Sequence, residues 1–182
     1  MKPILTILFL LALCYSIGFA SNNLPETNFH RSVPQTTTKL PKISYTLSGK
    51  ELMSLAEKIL YKKTPQEDMF LYLLRPEGKT NKPLSAIVYF TGGGWVNGSV
   101  DSQIANAAWF RDHGIIGITA DYRVKSRHGT TPIECIRDAK SAVRYLRSHS
   151  KELGIDPDKI IVAGGSAGGH IAACTARYNC RW

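Results

Sequence analysis

Seven residues, Gly164-Gly165-Ser166-Ala167-Gly168-Gly169-His170, restrict what this chain can fold into more than any others. They follow the apolar, β-branched run Ile160-Ile161-Val162-Ala163 and lead into Ile171-Ala172-Ala173. Strand, sharp turn and helix are therefore expected in succession, with one serine at the apex. A G-x-S-x-G turn in that setting lifts a serine Oγ to the top of a parallel sheet, where a base can reach it. Glycines two before and two after Ser166 are required because a Cβ at either place would meet the neighbouring strand or helix.

The pattern upstream agrees with a parallel α/β sheet. Residues 86–90 form a continuous apolar run of the kind buried on both faces of such a sheet. Residues 102–113 carry Ile104, Ala107, Ala108 and Phe110 at helical spacing and stop at Gly114. Residues 115–120 read as the next buried strand, and it ends at Asp121-Tyr122-Arg123. Pro132 is placed to start a long helix over 133–150, with Ile136, Ala139, Ala142, Val143 and Leu146 as its core stripe. The strand over 160–163 then delivers the serine turn. Ahead of this alternation, residues 68–75 read as a strand ended by Pro76. Leu52, Leu55, Ala56, Ile59 and Leu60 predict a helix over 48–61, with Ser48 as its cap.

The N-terminus reads as a targeting segment. Lys2 is followed by a nearly all-apolar stretch over 4–13, and Gly18-Phe19-Ala20 offers small residues at −3 and −1 of a cleavage site before Ser21. The apolar run is too short to span a membrane, so residues 1–20 are expected to be a signal peptide and the protein to be secreted or periplasmic. Cys14 raises a lipoprotein alternative, but the Leu13 before it is not small. Residues 21–47, rich in Ser, Asn, Thr and Pro as far as about Pro41, read as a linker.

Composition narrows the partners. The 182 residues suffice for one domain, and 43% hydrophobic with 20% charged residues is a globular balance. The net charge of +9 comes from scattered Lys and Arg, without the basic block or aromatic interleaving of a nucleic-acid groove. Beyond the leader the chain has Cys135, Cys174 and Cys180. Cys135 is expected to be a small buried hydrophobe, and Cys174 and Cys180 are a possible pair in an oxidising compartment. No cysteine or histidine spacing suits zinc, and no metal or cofactor is implied. Gly92-Gly93-Gly94 follows directly on a buried strand, so its backbone N–H groups can line a crevice at the strand ends. It lacks the G-K-[ST] ending of a phosphate loop.

Phe90-Thr91-Gly92-Gly93-Gly94-Trp95, Asp121-Tyr122-Arg123, Gly154-Ile155-Asp156-Pro157 and the serine turn together resemble the α/β-hydrolase superfamily. Within it they are similar to the secreted acetylxylan, feruloyl and acetyl esterases of the BD-FAE-like or fold-3 type. The resemblance covers roughly residues 61–177. It implies an α/β fold, a mostly parallel sheet flanked by helices, with residues 48–182 supplying its N-terminal half. It implies a serine hydrolase of carboxylic esters, acting on acetyl or feruloyl groups of a plant polysaccharide or oligosaccharide. Ser166 would be the nucleophile, and Gly93, Gly94 and Ala167 the oxyanion donors. Thr91 stands where such loops commonly carry histidine. It would also place short extended segments around 48–61, in competition with the helix expected there.

In this fold the triad runs Ser, then Asp or Glu, then His. His170, one turn beyond Ser166, is expected to pack or cap, and His113 and His149 to end helices beside the last carbonyls. His128, in a loop, is the least implausible substitute base. Asp121 is expected to fix a loop as a hydrogen-bond acceptor, Asp138 falls mid-helix, and Asp156 lies at the wrong end of the sheet. The unpatterned residues 175–182 lead us to expect an early stop, a frameshift or a partial sequence, with the last strand an apolar edge prone to association. A truncated inactive product or carbohydrate-binding remnant, and a serine peptidase of the same fold, are the alternatives.

Overall fold

The computed structural model describes residues 47–78 and 81–176, all within one compact unit. The expected signal peptide, all of the linker except Leu47, Cys180 and the tail beyond 176 lie outside the described residues. Among the described residues no helix is long and apolar enough to cross a membrane.

The chain opens with helix α1 (Gly49–Ser54) and strands β1 (Glu57–Lys62), β2 (Met69–Leu74) and β3 (Leu84–Phe90). A short 3-10 turn (Val100–Gln103) leads to α2 (Ile104–Asp112) and β4 (Ile116–Ala120). The short helix α3 (Lys125–His128), the long α4 (Pro132–Ser148), the short α5 (Ser150–Leu153), β5 (Ile155–Gly164) and α6 (Ala167–Ala176) complete it. The sheet order is β1-β2-β4-β3-β5. β3 pairs in parallel with both β4 and β5, whereas β2 is antiparallel to β1 and to β4. Four of the five strands therefore share one direction and only β2 opposes them. The expected α/β sheet flanked by helices is present, and β5 forms one edge among the described residues.

The expected helix over 48–61 is corrected. Ser48 does cap α1, in a box with Glu51, and Leu52 is buried under it. The helix then ends at Ser54, and residues 57–62 are strand β1. Local spacing lost to pairing with β2, which hydrogen-bonds this segment along its length. The register shifts between Leu60 and Lys62, and this bulge frees Tyr61 from the ladder. The Tyr61 hydroxyl donates to the carbonyl of Asp121, 2.7 Å away, beyond the end of β4.

Helix α4 shows why sequence periodicity works for long elements. Thr131 caps it, Glu134 closes the capping box, and Pro132 supplies the fixed φ of the first turn. Cys135, Ala139, Ala142, Val143 and Leu146 form its buried stripe against one face of the sheet. Asp138 lies on that same stripe and is completely buried. Its carboxylate accepts from Arg123 through Nε at 2.8 Å and Nη2 at 2.9 Å, from the Arg123 backbone N–H at 3.1 Å, and from Lys62 Nζ at 2.5 Å. A lone buried carboxylate would be very costly; here two cations and a backbone donor satisfy it. Asp138 thereby joins α4 to the end of β4 and to β1. Replacing Asp138 with alanine strands both cations and is expected to destabilise the fold by about 3–5 kcal/mol, read as a lowered midpoint in urea unfolding.

Candidate active site

The serine turn is built from the two elements that flank it. β5 ends at Gly164 and α6 begins at Ala167, so Gly165 and Ser166 alone make the corner. Ser166 adopts φ 52°, the left-handed region that non-glycine residues rarely enter. Such a conformation costs on the order of 1–3 kcal/mol and persists only when its surroundings enforce it. Here the Gly168 N–H donates to the Gly165 carbonyl at 2.9 Å, and the His170 N–H to the Ser166 carbonyl at 3.1 Å. Ser166 is exposed at the apex, while Ala167 and Gly168 are buried. Ala167 is the first residue of α6, where an N–H has no partner within its own helix.

The flanking glycines are needed for the reason the sequence suggested. A Cβ on Gly168 would sit 2.1 Å from the Phe90 carbonyl oxygen, and one on Gly164 2.5 Å from the backbone of Gly168. Helix α6 thus rests directly on the backbone of β3, with nothing but Cα hydrogens between.

The glycine-rich loop leaves β3 at the same edge. Phe90 pairs with Gly164 in register, so the loop and the serine turn emerge from adjacent parallel strands at their C-terminal ends. This is a topological switch point: from β3 the chain moves to β4 on one side, then returns past β3 to β5 on the other. Gly93 and Gly94 have φ 120° and 62°, and Trp95 follows at 61°. The Gly93 carbonyl accepts from Val96 and Asn97, and a Cβ on Gly93 would strike the Asn97 carbonyl oxygen at 2.1 Å. A Cβ on Gly92 would lie 2.9 Å from the Gly165 oxygen and 3.6 Å from Ser166 Cβ. The structure therefore brings Gly92 against Ser166, with Gly93 and Gly94 exposed next along the loop.

Asp121-Tyr122-Arg123 fastens this edge. Asp121 Oδ1 accepts from the Tyr122 N–H at 2.9 Å and pairs with Arg127 Nη2 at 2.6 Å, the loop-fixing role expected of it. The Tyr122 hydroxyl donates to the Thr91 carbonyl at 2.7 Å, and the Thr91 hydroxyl lies 2.6 Å from that of Ser102. Arg123 holds Asp138, as described. Of these, the reach of Tyr122 and the ion cluster at Asp138 escaped sequence reasoning. A carboxylate on an apolar helical stripe was the available signal for the second.

The described histidines are taken individually. His113 and His149 bond the carbonyls of Trp109 and Tyr145 four residues back, as helix-ending residues should. His128 does not stand free as a substitute base, and that expectation is corrected. Its Nδ1 accepts from the Val124 N–H at 2.9 Å, and its Nε2 faces Glu67 Oε2 at 2.9 Å. With both nitrogens engaged and the ring buried, it secures α3 to the segment before β2. His170 packs as expected, edge-on to Trp95 with ring centroids 5.4 Å apart, and its Nε2 is 3.7 Å from Cys174 Sγ. Cys135 is buried, its thiol pushed up to about 11 chiefly by desolvation.

Two predictions arise here. Gly168→Ala should force α6 off β3 and cost about 1–3 kcal/mol or more, measured by urea unfolding. Burial raises the ionisation of Tyr61 and Tyr122 above the ordinary tyrosine value of 10.0. Above pH 10 the unfolded chain releases protons that the folded chain retains, so these groups favour folding fully below that pH and progressively less above it. The urea midpoint should fall as pH rises beyond 10, and less steeply in Tyr61→Phe.

The chain is similar to known proteins. The chain is 38% identical over 97 residues to carboxylesterase NlhH of Mycobacterium tuberculosis, covering 52% of this chain and 29% of that protein. It is 33% identical over 117 residues to a probable isoprenylcysteine alpha-carbonyl methylesterase of Arabidopsis thaliana, covering 64% and 24%. The propionate-bound structure of Est2, a thermophilic esterase from Thermogutta terrifontis, superposes with a TM-score of 0.66 at 46% identity, over 71% of this chain and 48% of that one. The chain thus spans less than a third of these curated relatives and about half of the solved esterase. The family model described as BD-FAE matches residues 71–180, well over half of the sequence, and with the strand order and serine turn in place the chain belongs to that family and carries the α/β-hydrolase fold.

Proposed function

We propose that this chain carries the nucleophile and the oxyanion-binding elements of a serine carboxylic-ester hydrolase. The observation that carries the reading is the left-handed Ser166 in contact with the glycine loop, at the switch point of the sheet. In this reading Ser166 Oγ attacks the ester carbonyl carbon while its proton passes to a base. The negative charge gathers on the former carbonyl oxygen, where the N–H groups of Gly93, Gly94 and Ala167 receive it. One such donor is typically worth about 3–4 kcal/mol in the transition state. The bond to the alkoxide then breaks, the alcohol leaves with the proton, and water releases the acid from the acyl-serine. Among the described residues no histidine hydrogen-bonds the Ser166 hydroxyl, so no base or orienting acid is assigned among them.

For substrate we propose a carboxylic ester of an acetyl or feruloyl group on a polysaccharide or oligosaccharide, with export directed by residues 1–20. Membership of the BD-FAE family supports the ester class, and the propionate-bound relative supports a small acyl group. That no described histidine bonds the Ser166 hydroxyl favours a second reading, a folded but inactive product that retains only binding. Turnover of p-nitrophenyl acetate by the chain and by Ser166→Ala separates the two. The hydrolase reading expects the variant to be slower by at least about 10³-fold. Equal rates would establish the inactive product instead. Acetate release from acetylated xylan, set beside release from p-nitrophenyl acetate, tests the polysaccharide assignment.

A further inference from the structure

We infer that Tyr122 is a positioning residue for the oxyanion loop, setting the direction of the Thr91–Gly92 peptide through its hydroxyl. The inference rests on the esterase reading above for its catalytic meaning and on geometry for its mechanical one.

Three successive glycines have no side chains with which to hold themselves. Their orientation must come from the residues around them. Ahead of them stands Thr91, just past the last paired residue of β3, where the sheet ladder no longer fixes the peptide plane. The Thr91 carbonyl is tied at 2.7 Å by the Tyr122 hydroxyl, in a buried setting. Because the peptide is planar and trans, fixing that carbonyl also fixes the opposed N–H of Gly92. On another side the same carbonyl faces Gly168, since a Cβ there would come within 2.6 Å of its oxygen. Rotating the Thr91–Gly92 peptide away from Tyr122 would leave a buried hydroxyl and a buried carbonyl unpaired, at roughly 1–3 kcal/mol per group.

Tyr122 is itself held at both ends. Its N–H donates to Asp121 Oδ1, its ring meets Phe90 edge-on with centroids 6.2 Å apart, and the residue is almost fully buried. Burial keeps the phenol protonated well into alkaline pH, so it remains a donor throughout the working range. The second tether, between the Thr91 and Ser102 hydroxyls, holds the side chain of Thr91 and leaves its peptide plane to Tyr122.

The test compares Tyr122→Phe, which keeps the ring and removes only the hydroxyl, with Tyr61→Phe. The latter loses an equally buried hydroxyl bond to the neighbouring Asp121 carbonyl but does not touch the loop. Hydrogen exchange of peptides covering residues 91–95 should quicken about tenfold or more in Tyr122→Phe relative to β4 peptides. In Tyr61→Phe the loop-to-β4 ratio should hold. On p-nitrophenyl acetate, Tyr122→Phe should lower kcat by about ten- to a hundredfold with KM within about twofold, the mark of misplaced transition-state donors. Loop exchange unchanged in Tyr122→Phe, or equally quickened in both variants, overturns the inference, as does a loss confined to KM. If the wild-type chain shows no Ser166-dependent turnover, the esterase reading fails on its own, and the exchange ratio still decides whether Tyr122 sets the loop.

Discussion

Helix α6 lies so close to strand β3 that the backbone of Gly168 abuts the carbonyls of Phe90 and Thr91. Most of the candidate site depends on that approach. It brings the first turn of α6 beneath the glycine loop and leaves Ser166 no corner to turn except the left-handed one. It also closes one side of the Thr91 carbonyl. A conventional strand-to-helix connection, with side chains between the elements, would set the serine and the loop several ångströms apart. The strain at Ser166 is then a consequence of packing elsewhere, since the surrounding contacts outweigh a local cost of a few kcal/mol at most.

Asp121-Tyr122-Arg123 works as a three-way junction at the end of β4. Each side chain serves a different neighbour: Asp121 meets Arg127 on α3, Tyr122 meets the glycine loop, and Arg123 meets Asp138 on α4. The backbone takes part as well, with Tyr61 from β1 bonding the Asp121 carbonyl. The loop after β4 and the loop after β3 are therefore fixed relative to one another by hydrogen bonds of definite direction. Apolar packing alone, which is non-directional, does not determine the orientation of a peptide plane.

How much of this the sequence discloses follows from the range of each interaction. β3 and β4 are continuous apolar runs because both of their faces are covered, and α4 announces itself through a cap, a proline and a regular stripe. The serine turn carries its own glycines. β1 was obscured because Ile59 and Leu60 continue the helical spacing of Leu52 and Leu55, and only β2 arbitrates in favour of strand. His128 looked like the least implausible base because a loop position says nothing of Glu67, which reaches it from the segment before β2. Tyr122 left no local trace, for a hydrogen bond to Thr91 has no periodicity to read. Asp138 reads in sequence only as falling mid-helix, although a charge on an apolar stripe requires partners.

The strand order also bears on how the site comes into being. Gly92 and Ser166 lie beside one another only when β5 pairs with β3, which the intervening β4 and α4 separate from it in sequence. Contacts of such wide sequence separation form late, because the entropy of closing the intervening chain must be overcome first. A nascent or partly unfolded molecule would hold its glycine loop and its serine on separate, unassembled segments. The pairing of β3 with β5 is thus the step that brings Ser166 to the glycine loop.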